Sequence, residues 1–268
     1  MCIRDSKRGH VLVRSGPTIS TGASRLAAVS ALRAGAGAVT LASDSDSLLV
    51  NASHLTSVML KEINNADDFF NFVKEKKINT LIIGPGCGVN QITKELVIRA
   101  IKSEISFVLD ADGLTLFQKN PNELFDLLNK RRKRENIILT PHEGEFNRLF
   151  DFGKMSKIDK ANRAANITKS TILFKGNDTI ISSPKKISLI TKDSSSFLAT
   201  AGSGDVLSGI CGSFLGQGMK SHYAAAAASW IHNEIGLDAG PGLIAEDMNK
   251  FISKIMSKKL KRIYENGN

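Results

Sequence analysis

The stretch Thr200–Gly218, TAGSGDVLSGICGSFLGQG, sets Gly202, Ser203 and Gly204 directly before Asp205 and then runs into a small-residue helical pattern. Glycines at a helix start let the backbone approach a ligand closely. The free N–H groups and the dipole at that end attract a phosphate. An aspartate placed there repels the phosphate unless it has a task of its own. One such task is to accept the proton of a substrate hydroxyl as that oxygen attacks phosphorus. The other reading is an ordinary N-cap, a position that Asp favours, and the local residues do not separate the two. Ser208, Gly209, Gly212 and Ser213 keep one face of the following helix slim enough for close packing.

Further chemistry-bearing residues come after apolar runs of strand length. In FKGNDT, Lys175, Gly176, Asn177, Asp178 and Thr179 can meet a nucleotide phosphate or base edge through backbone groups. The local reading favours a simple turn with Asn177-Asp178 at its corner. GPGCG (Gly84–Gly88) is a rigid turn whose backbone can lie against a flat ligand. Cys87 reads as a small apolar filler, since no base accompanies it. TPHEGE brings His142, a hydrogen-bonding orienter, together with Glu143 and Glu145, which suit the first turn of a helix. In DADG, either Asp110 or Asp112 can hold Mg²⁺ through water or cap the next helix. GxGxxG in a βαβ context, GxxxxGK[ST], HExxH and CxxC are all missing, so a nucleotide site needs another design and no metal-ligand set stands out.

The elements that carry these residues alternate. HVLV (His10–Val13), AVTLA (Ala38–Ala42), TLIIGPG, SFVLDAD and NIILTPH read as strands. TGASRLAAVSALRAG, Gln91–Lys102, Leu114–Lys130 (broken at Asn120-Pro121) and Gly144–Phe150 read as helices. Buried strands alternating with helices imply a parallel sheet covered on both faces. TILFKG, DTIISS and KISLIT lie close together in the chain, which implies an antiparallel edge. Asp205–Gly216, Ser221–Leu237 and Glu246–Ile263 make the remainder helical. In such sheets ligands bind beyond the carboxyl ends of the strands, which is where the polar and glycine-rich residues fall. Residues 7–268 read as a single domain. The opening MCIRDS fits neither a targeting pattern nor the strand that begins at His10, so residues 1–6 stay unassigned.

Bulk properties narrow the class. The chain has 268 residues, 42% hydrophobic, a globular composition with no apolar run long enough for a membrane helix. Cys2, Cys87 and Cys211 are odd in number and far apart, which suits a reducing cytoplasm. The net charge is +10. Its densest clusters, Lys130–Arg134 and the last helix, lack interleaved aromatics, so they read as solvated faces rather than a nucleic-acid surface.

TGASRLAAVSALRAGAGAVTLA, IIGPGCG, LDADGLTLF, ILTPHEGEF, LFKGNDTII and GSGDVLSGICGSFLGQG, in this order, resemble the ADP/ATP-dependent NAD(P)H-hydrate dehydratases, a branch of the ribokinase-like superfamily. The resemblance spans nearly the whole chain. It implies a three-layer α/β/α ribokinase-like fold with a mostly parallel central sheet and a small antiparallel edge. It implies repair of hydrated NADH and NADPH, with ADP (or ATP) as phosphate donor and Mg²⁺ accompanying it. By the same matching Asp205 is the base that faces the hydrate's hydroxyl. Gly202, Ser203 and Gly204 form an anion hole, and Lys175, Gly176, Asn177, Asp178, Thr179 and Gly204 bind the nucleotide. Ala23, Gly88, His142 and Asp205 hold the hydrated dinucleotide. A homotetramer, cooperation with an NAD(P)H-hydrate epimerase, and no nucleic-acid or membrane partner complete the expectation. Ser203 stands where the family usually has threonine, so the hydroxyl survives.

Two other readings share these residues. A small-molecule kinase of the same fold, acting on a vitamin-precursor alcohol, would use the same Asp205 and anion hole. A basic binding protein would need Asp205 to be only a cap.

Overall fold

The computed structural model describes residues 8–132, 136–192 and 194–265. The opening residues 1–6, and Lys133 and Arg134 of the basic run, lie outside the described residues. The chain lays down β1 (His10–Arg14), α1 (Thr21–Arg33), β2 (Ala38–Ser43), α2 (Ser45–Ala52), β3 (Met59–Glu62), α3 (Ala66–Glu75), β4 (Thr80–Ile83), α4 (Gln91–Lys102) and β5 (Ser106–Leu109). A short α5 (Asp112–Thr115), α6 (Pro121–Lys130), β6 (Ile137–Leu139), α7 (Glu143–Leu149), α8 (Lys157–Thr168), β7 (Thr171–Phe174), β8 (Ile180–Ser182) and β9 (Leu189–Ile190) come next. It ends with α9 (Ser203–Gly216), α10 (Ser221–Ala239) and α11 (Ala245–Glu265).

All strands join one nine-stranded sheet in the order β3-β2-β1-β4-β5-β6-β7-β8-β9. The strands from β3 to β7 run parallel, and β8 and β9 add an antiparallel edge. Side chains alternate across the pleat, so each central strand feeds two cores. Leu12, Leu81, Ile83, Phe107 and Leu109 pack with Phe69, Leu96, Leu124, Phe146 and Ala161 from α3, α4, α6, α7 and α8. Val11, Val13, Ile82, Val108 and Leu173 pack on the other face with residues of α1, α9, α10 and α11. The result is the expected three-layer α/β/α arrangement with an antiparallel edge.

The strand order reverses beside β1, which lies between β2 and β4. The usual ligand position in such sheets is past the carboxyl ends of the strands at this point, here β1 and β4. Two loops meet there. Ser20 donates its hydroxyl to the Gly86 carbonyl at 2.8 Å. Gly86, at φ 64°, passes so close to the Ser20 backbone that a side chain has no room.

Helix starts are written locally. Asp44, Asn65, Asn90 and Ser156 each accept a backbone N–H of the first turn. Pro121 occupies the first position of α6, so the stretch from Leu114 to Lys130 breaks there as expected, leaving the short α5 in front. α9 starts at Ser203, two residues ahead of the expected Asp205. KISLIT contributes only Leu189–Ile190 to the sheet. α2, β3, α3 and α8 lie in stretches that the apolar pattern leaves unassigned.

The basic run also departs from a solvated face. Arg131 is 4% exposed. Its guanidinium donates to the carbonyls of Ala100 (2.9 Å), Ile101 (3.0 Å), Ser103 and Ile105 (2.5 Å). It thus closes the carbonyl end of α4, where a cation complements the dipole. Burial pulls its pKa down to about 10.

Candidate active site

Gly202 is the N-cap of α9, in the left-handed region at φ 86°. Ser203, Gly204 and Asp205 are therefore the first three helical residues. The capping alternative for Asp205 fails, because Gly202 takes the cap position. A side chain on Gly202 would collide with Leu26 and Ala245, so the turn is wedged between α1 and the start of α11. An Asp205 carboxylate oxygen lies 4.0 Å from where that Cβ would stand. Burial raises the Asp205 pKa, and the negative charge of Asp110 adds to the effect; Lys175 opposes both, leaving it at about 7. A carboxylate poised near neutrality at an anion-attracting helix start suits proton transfer.

Beneath it lies a buried ion pair. Lys175 Nζ donates to Asp110 Oδ1 at 2.8 Å, and Asp110 is 1% exposed. The Ser208 hydroxyl, one turn into α9, donates to Asp110 Oδ2 at 2.6 Å. The Ala111 N–H donates to Asp110 Oδ1 at 2.9 Å. Burial opposes the Lys175 charge, but Asp110 and Glu145 outweigh it and hold its pKa above the ordinary lysine value. A Cβ on Gly204 would stand 3.2 Å from Lys175 Nζ, so the ammonium lies against the first turn of α9. Lys175 thus acts through its side chain as well as its backbone, beyond the turn-forming role that local sequence favours. Ala111, between the two aspartates, is held at φ 43°. Asp110 turns inward from there, and Asp112 accepts the Gly88 N–H at 2.8 Å. Each carboxylate thus has a protein partner.

His142 caps α7. Its Nδ1 accepts the Glu145 N–H at 3.3 Å, while Glu145 Oε2 accepts the His142 N–H at 2.9 Å. The expected orienter is therefore half of a reciprocal cap. Glu145 Oε2 also lies 4.0 Å from Lys175 Nζ, and burial raises the Glu145 pKa. Cys87 is buried and its thiol is pushed up to about 12 by burial, which suits a filler and not a nucleophile.

A cleft of about 340 Å³ opens beside this cluster. Lys175, Gly176, Asn177, Thr179, Ser203, Gly204 and His142 line it. Asp178 joins a second compartment of about 490 Å³ that shares His142, Lys175, Gly176 and Asn177 with the first. Ala23, Gly88, Gly202 and Asp205 line neither. Ala23 and Gly88 belong to the loops past β1 and β4, where a Cβ on Gly86 would come within 3.2 Å of the Ala23 Cβ.

The sequence reading missed one wall of the cleft, made by Ser229, His232 and Asn233 of α10. Thr191 and Ser229 share a hydroxyl hydrogen bond at 2.6 Å. Asn233 Oδ1 accepts the Ser195 N–H at 2.9 Å. His232 Nε2 lies 3.0 Å from the Ser203 carbonyl and 2.9 Å from its hydroxyl. A carbonyl only accepts, so Nε2 carries the proton. Burial lowers the pKa of this ring to about 4, so it stays neutral. The available signal was a polar i, i+3, i+4 set inside an alanine-rich helix.

Among the described residues, no group of three or more His, Cys, Asp or Glu side chains could hold a metal ion. None of the described helices is long and apolar enough to cross a membrane.

Fold and site together define an α/β enzyme class in which a helix N-terminus and a buried lysine stand next to an ionisable aspartate. The family profile described as NAD(P)H-hydrate dehydratase matches residues 11–257, and the chain belongs to that family. The ADP-dependent (S)-NAD(P)H-hydrate dehydratase of Neisseria meningitidis serogroup B is 32% identical over 233 residues, 84% of this chain and 75% of that protein. A bifunctional NAD(P)H-hydrate repair enzyme of Coxiella burnetii is 31% identical over 229 residues, 84% of this chain and 44% of that protein. The chain thus spans about half the length of the curated bifunctional relatives it matches. A ribokinase-like superfamily protein of Enterococcus faecalis superposes with a TM-score of 0.81 at 20% identity, covering 95% of this chain and 88% of that one. The Bacillus subtilis ADP/ATP-dependent NAD(P)H-hydrate dehydratase, co-crystallised with ATP/Mg²⁺, gives 0.78 at 22% identity over 95% and 91%. These superpositions establish the ribokinase-like fold.

Proposed function

We propose that this chain restores NADH and NADPH from their C6-hydrated forms at the expense of ADP, releasing AMP and phosphate. The observation that carries the reading is Asp205, ionisable at about 7, beside the helix start that Lys175 abuts. Asp205 takes the proton of the C6 hydroxyl as that oxygen attacks the terminal phosphorus. The bond from that phosphorus to the bridging oxygen breaks, and AMP leaves. Backbone N–H groups at Gly202, Ser203 and Gly204, with the Lys175 ammonium, stabilise the transferring phosphate. Hydroxide is a poor leaving group, the conjugate base of water with a pKa of about 15.7, and phosphate a much better one. The ring nitrogen lone pair then expels phosphate, and loss of a proton from the neighbouring ring carbon restores the dihydronicotinamide.

Lys175, Gly176, Asn177, Asp178, Thr179 and Gly204 hold the nucleotide in the cleft. Ala23, Gly88, His142 and Asp205 hold the hydrate, with His142 in the wall of the same cleft. Mg²⁺ bound with the nucleotide would neutralise charge on its phosphates. Residues 7–268 act as one domain, a reading that the single sheet supports. The protein works in the cytoplasm on the product of an NAD(P)H-hydrate epimerase. It assembles as a homotetramer, which light scattering on the purified protein tests; a monomer rejects that part.

The decisive assay mixes protein, hydrated NADH and Mg²⁺ with ADP or ATP and follows absorbance of the reduced ring. A nucleotide-dependent rise is expected. A folded protein that gives none, but forms a stable phosphorylated alcohol from a panel of vitamin precursors, is a kinase instead.

A further inference from the structure

Lys157 is the first residue of α8, directly after the N-cap Ser156. A cation there opposes the helix dipole, so the helix gains nothing from it. The side chain leaves α8 and reaches the second compartment of the cleft. Its Nζ donates to the Asp178 carbonyl at 2.6 Å and lies 4.8 Å from the centroid of the Phe174 ring. A Cβ on Gly176 would run into this ammonium, so the 175–179 loop passes as close as glycine allows. Glu143 and Asp178 face it electrostatically, yet neither forms an ion pair with it, and burial lowers its pKa. Lys175 lines the same compartment, but its charge is partly neutralised by Asp110. A half-buried ammonium with no carboxylate partner among the described residues, aimed into an open compartment against its own helix dipole, breaks local rules in the way binding residues do.

We propose that Lys157 contacts a phosphate of the bound nucleotide, adding a second cation on the α8 side of the 175–179 loop. The inference rests on the assignment of that loop to the nucleotide. The competing role is purely structural: Lys157 would tie down the loop through Asp178 and never touch ligand. The two roles differ in what they discriminate. A loop tie weakens every ligand of the cleft alike, whereas a phosphate contact weakens ligands in proportion to their charge.

The test is calorimetric titration of ADP, AMP and adenosine into wild type, Lys157→Met and Lys157→Arg, with thermal melts as a fold control. Lys157→Gln replaces the Met variant if that one aggregates. Loss of one charge-assisted contact at a partly exposed site should raise the ADP Kd about tenfold. AMP should lose less, adenosine should be unchanged, and Lys157→Arg should stay near wild type. Equal weakening of adenosine and ADP, or unchanged ADP affinity, overturns the proposal. Wild type that does not bind ADP at all overturns the nucleotide assignment and this proposal together. ADP binding that shows the expected pattern without hydrate turnover overturns only the proposed reaction.

Discussion

Asp205 can be tested through its proton. Its pKa near 7 means that much of the free enzyme holds a neutral carboxyl below neutrality. A base must be ionised, so kcat/KM should rise with pH and level off above about 7. Asp205→Asn should lower kcat by about 10²–10⁴-fold and abolish that limb. A limb that survives in the variant would move the base elsewhere. Stability runs the other way. Between the ordinary value of 3.8 and about 7, the folded protein keeps a proton that the unfolded chain has lost. Folding stability therefore falls as pH rises through that window. The Asn variant should melt above wild type at pH ~8, with the gap closing toward pH ~4. The type and place of this aspartate were legible from its glycines. Its environment was not, because Asp110 and Lys175 come from other strands and lie far away in sequence.

α9 joins the site to the rest of the molecule, and its glycines decide how closely. Gly209 lies against the Ala27 backbone and the Ser30 hydroxyl of α1, and Gly212 against Ile82 of β4. The slim face inferred from Ser208, Gly209, Gly212 and Ser213 is real, and it turns toward two neighbours at once. Gly209→Val would force α1 and α9 apart. Overpacking of this kind costs about 1–3 kcal/mol, and a rigid backbone neighbour puts this site at the upper end. The denaturant midpoint should drop, and turnover should drop with it, because Gly202 and Ala23 ride on the two separated helices. A midpoint equal to wild type would mean that the helices do not meet so closely in solution. Other elements were illegible for identifiable reasons. β3 (MLKE) is an edge strand with little burial, so it carries no alternating apolar signal. α8 (KIDKANRAANIT) buries mainly alanines, which leave a weak helical pattern. The loop after β9 takes its order from Ser229 and Asn233 of α10, a relation that no local window contains.

At the scale of the whole molecule, charge is the property that sequence reported most easily and located least well. The net charge is +10, yet Arg131 directs its cation to backbone carbonyls at the end of α4. Lys175 and Lys157, by contrast, stand at the cleft. Both proposed substrates are polyanions: ADP, and a hydrated dinucleotide with a pyrophosphate. A positively charged protein with cations at the mouth of its cleft should steer them, and steering is screened by salt. Raising ionic strength from ~0.05 to ~0.5 M should lower kcat/KM by about tenfold for a reaction that electrostatic encounter accelerates. The turnover number should change little, because in the proposed reaction the phosphate faces Lys175 in a site that salt screens weakly. Stopped-flow association rates for ADP across the same salt range separate the two effects. Falling on-rates with a constant kcat assign the charge to encounter. If kcat falls as steeply as kcat/KM, salt is reaching the buried Asp110–Lys175 pair, and the site opens more widely in solution than the packing around α9 describes.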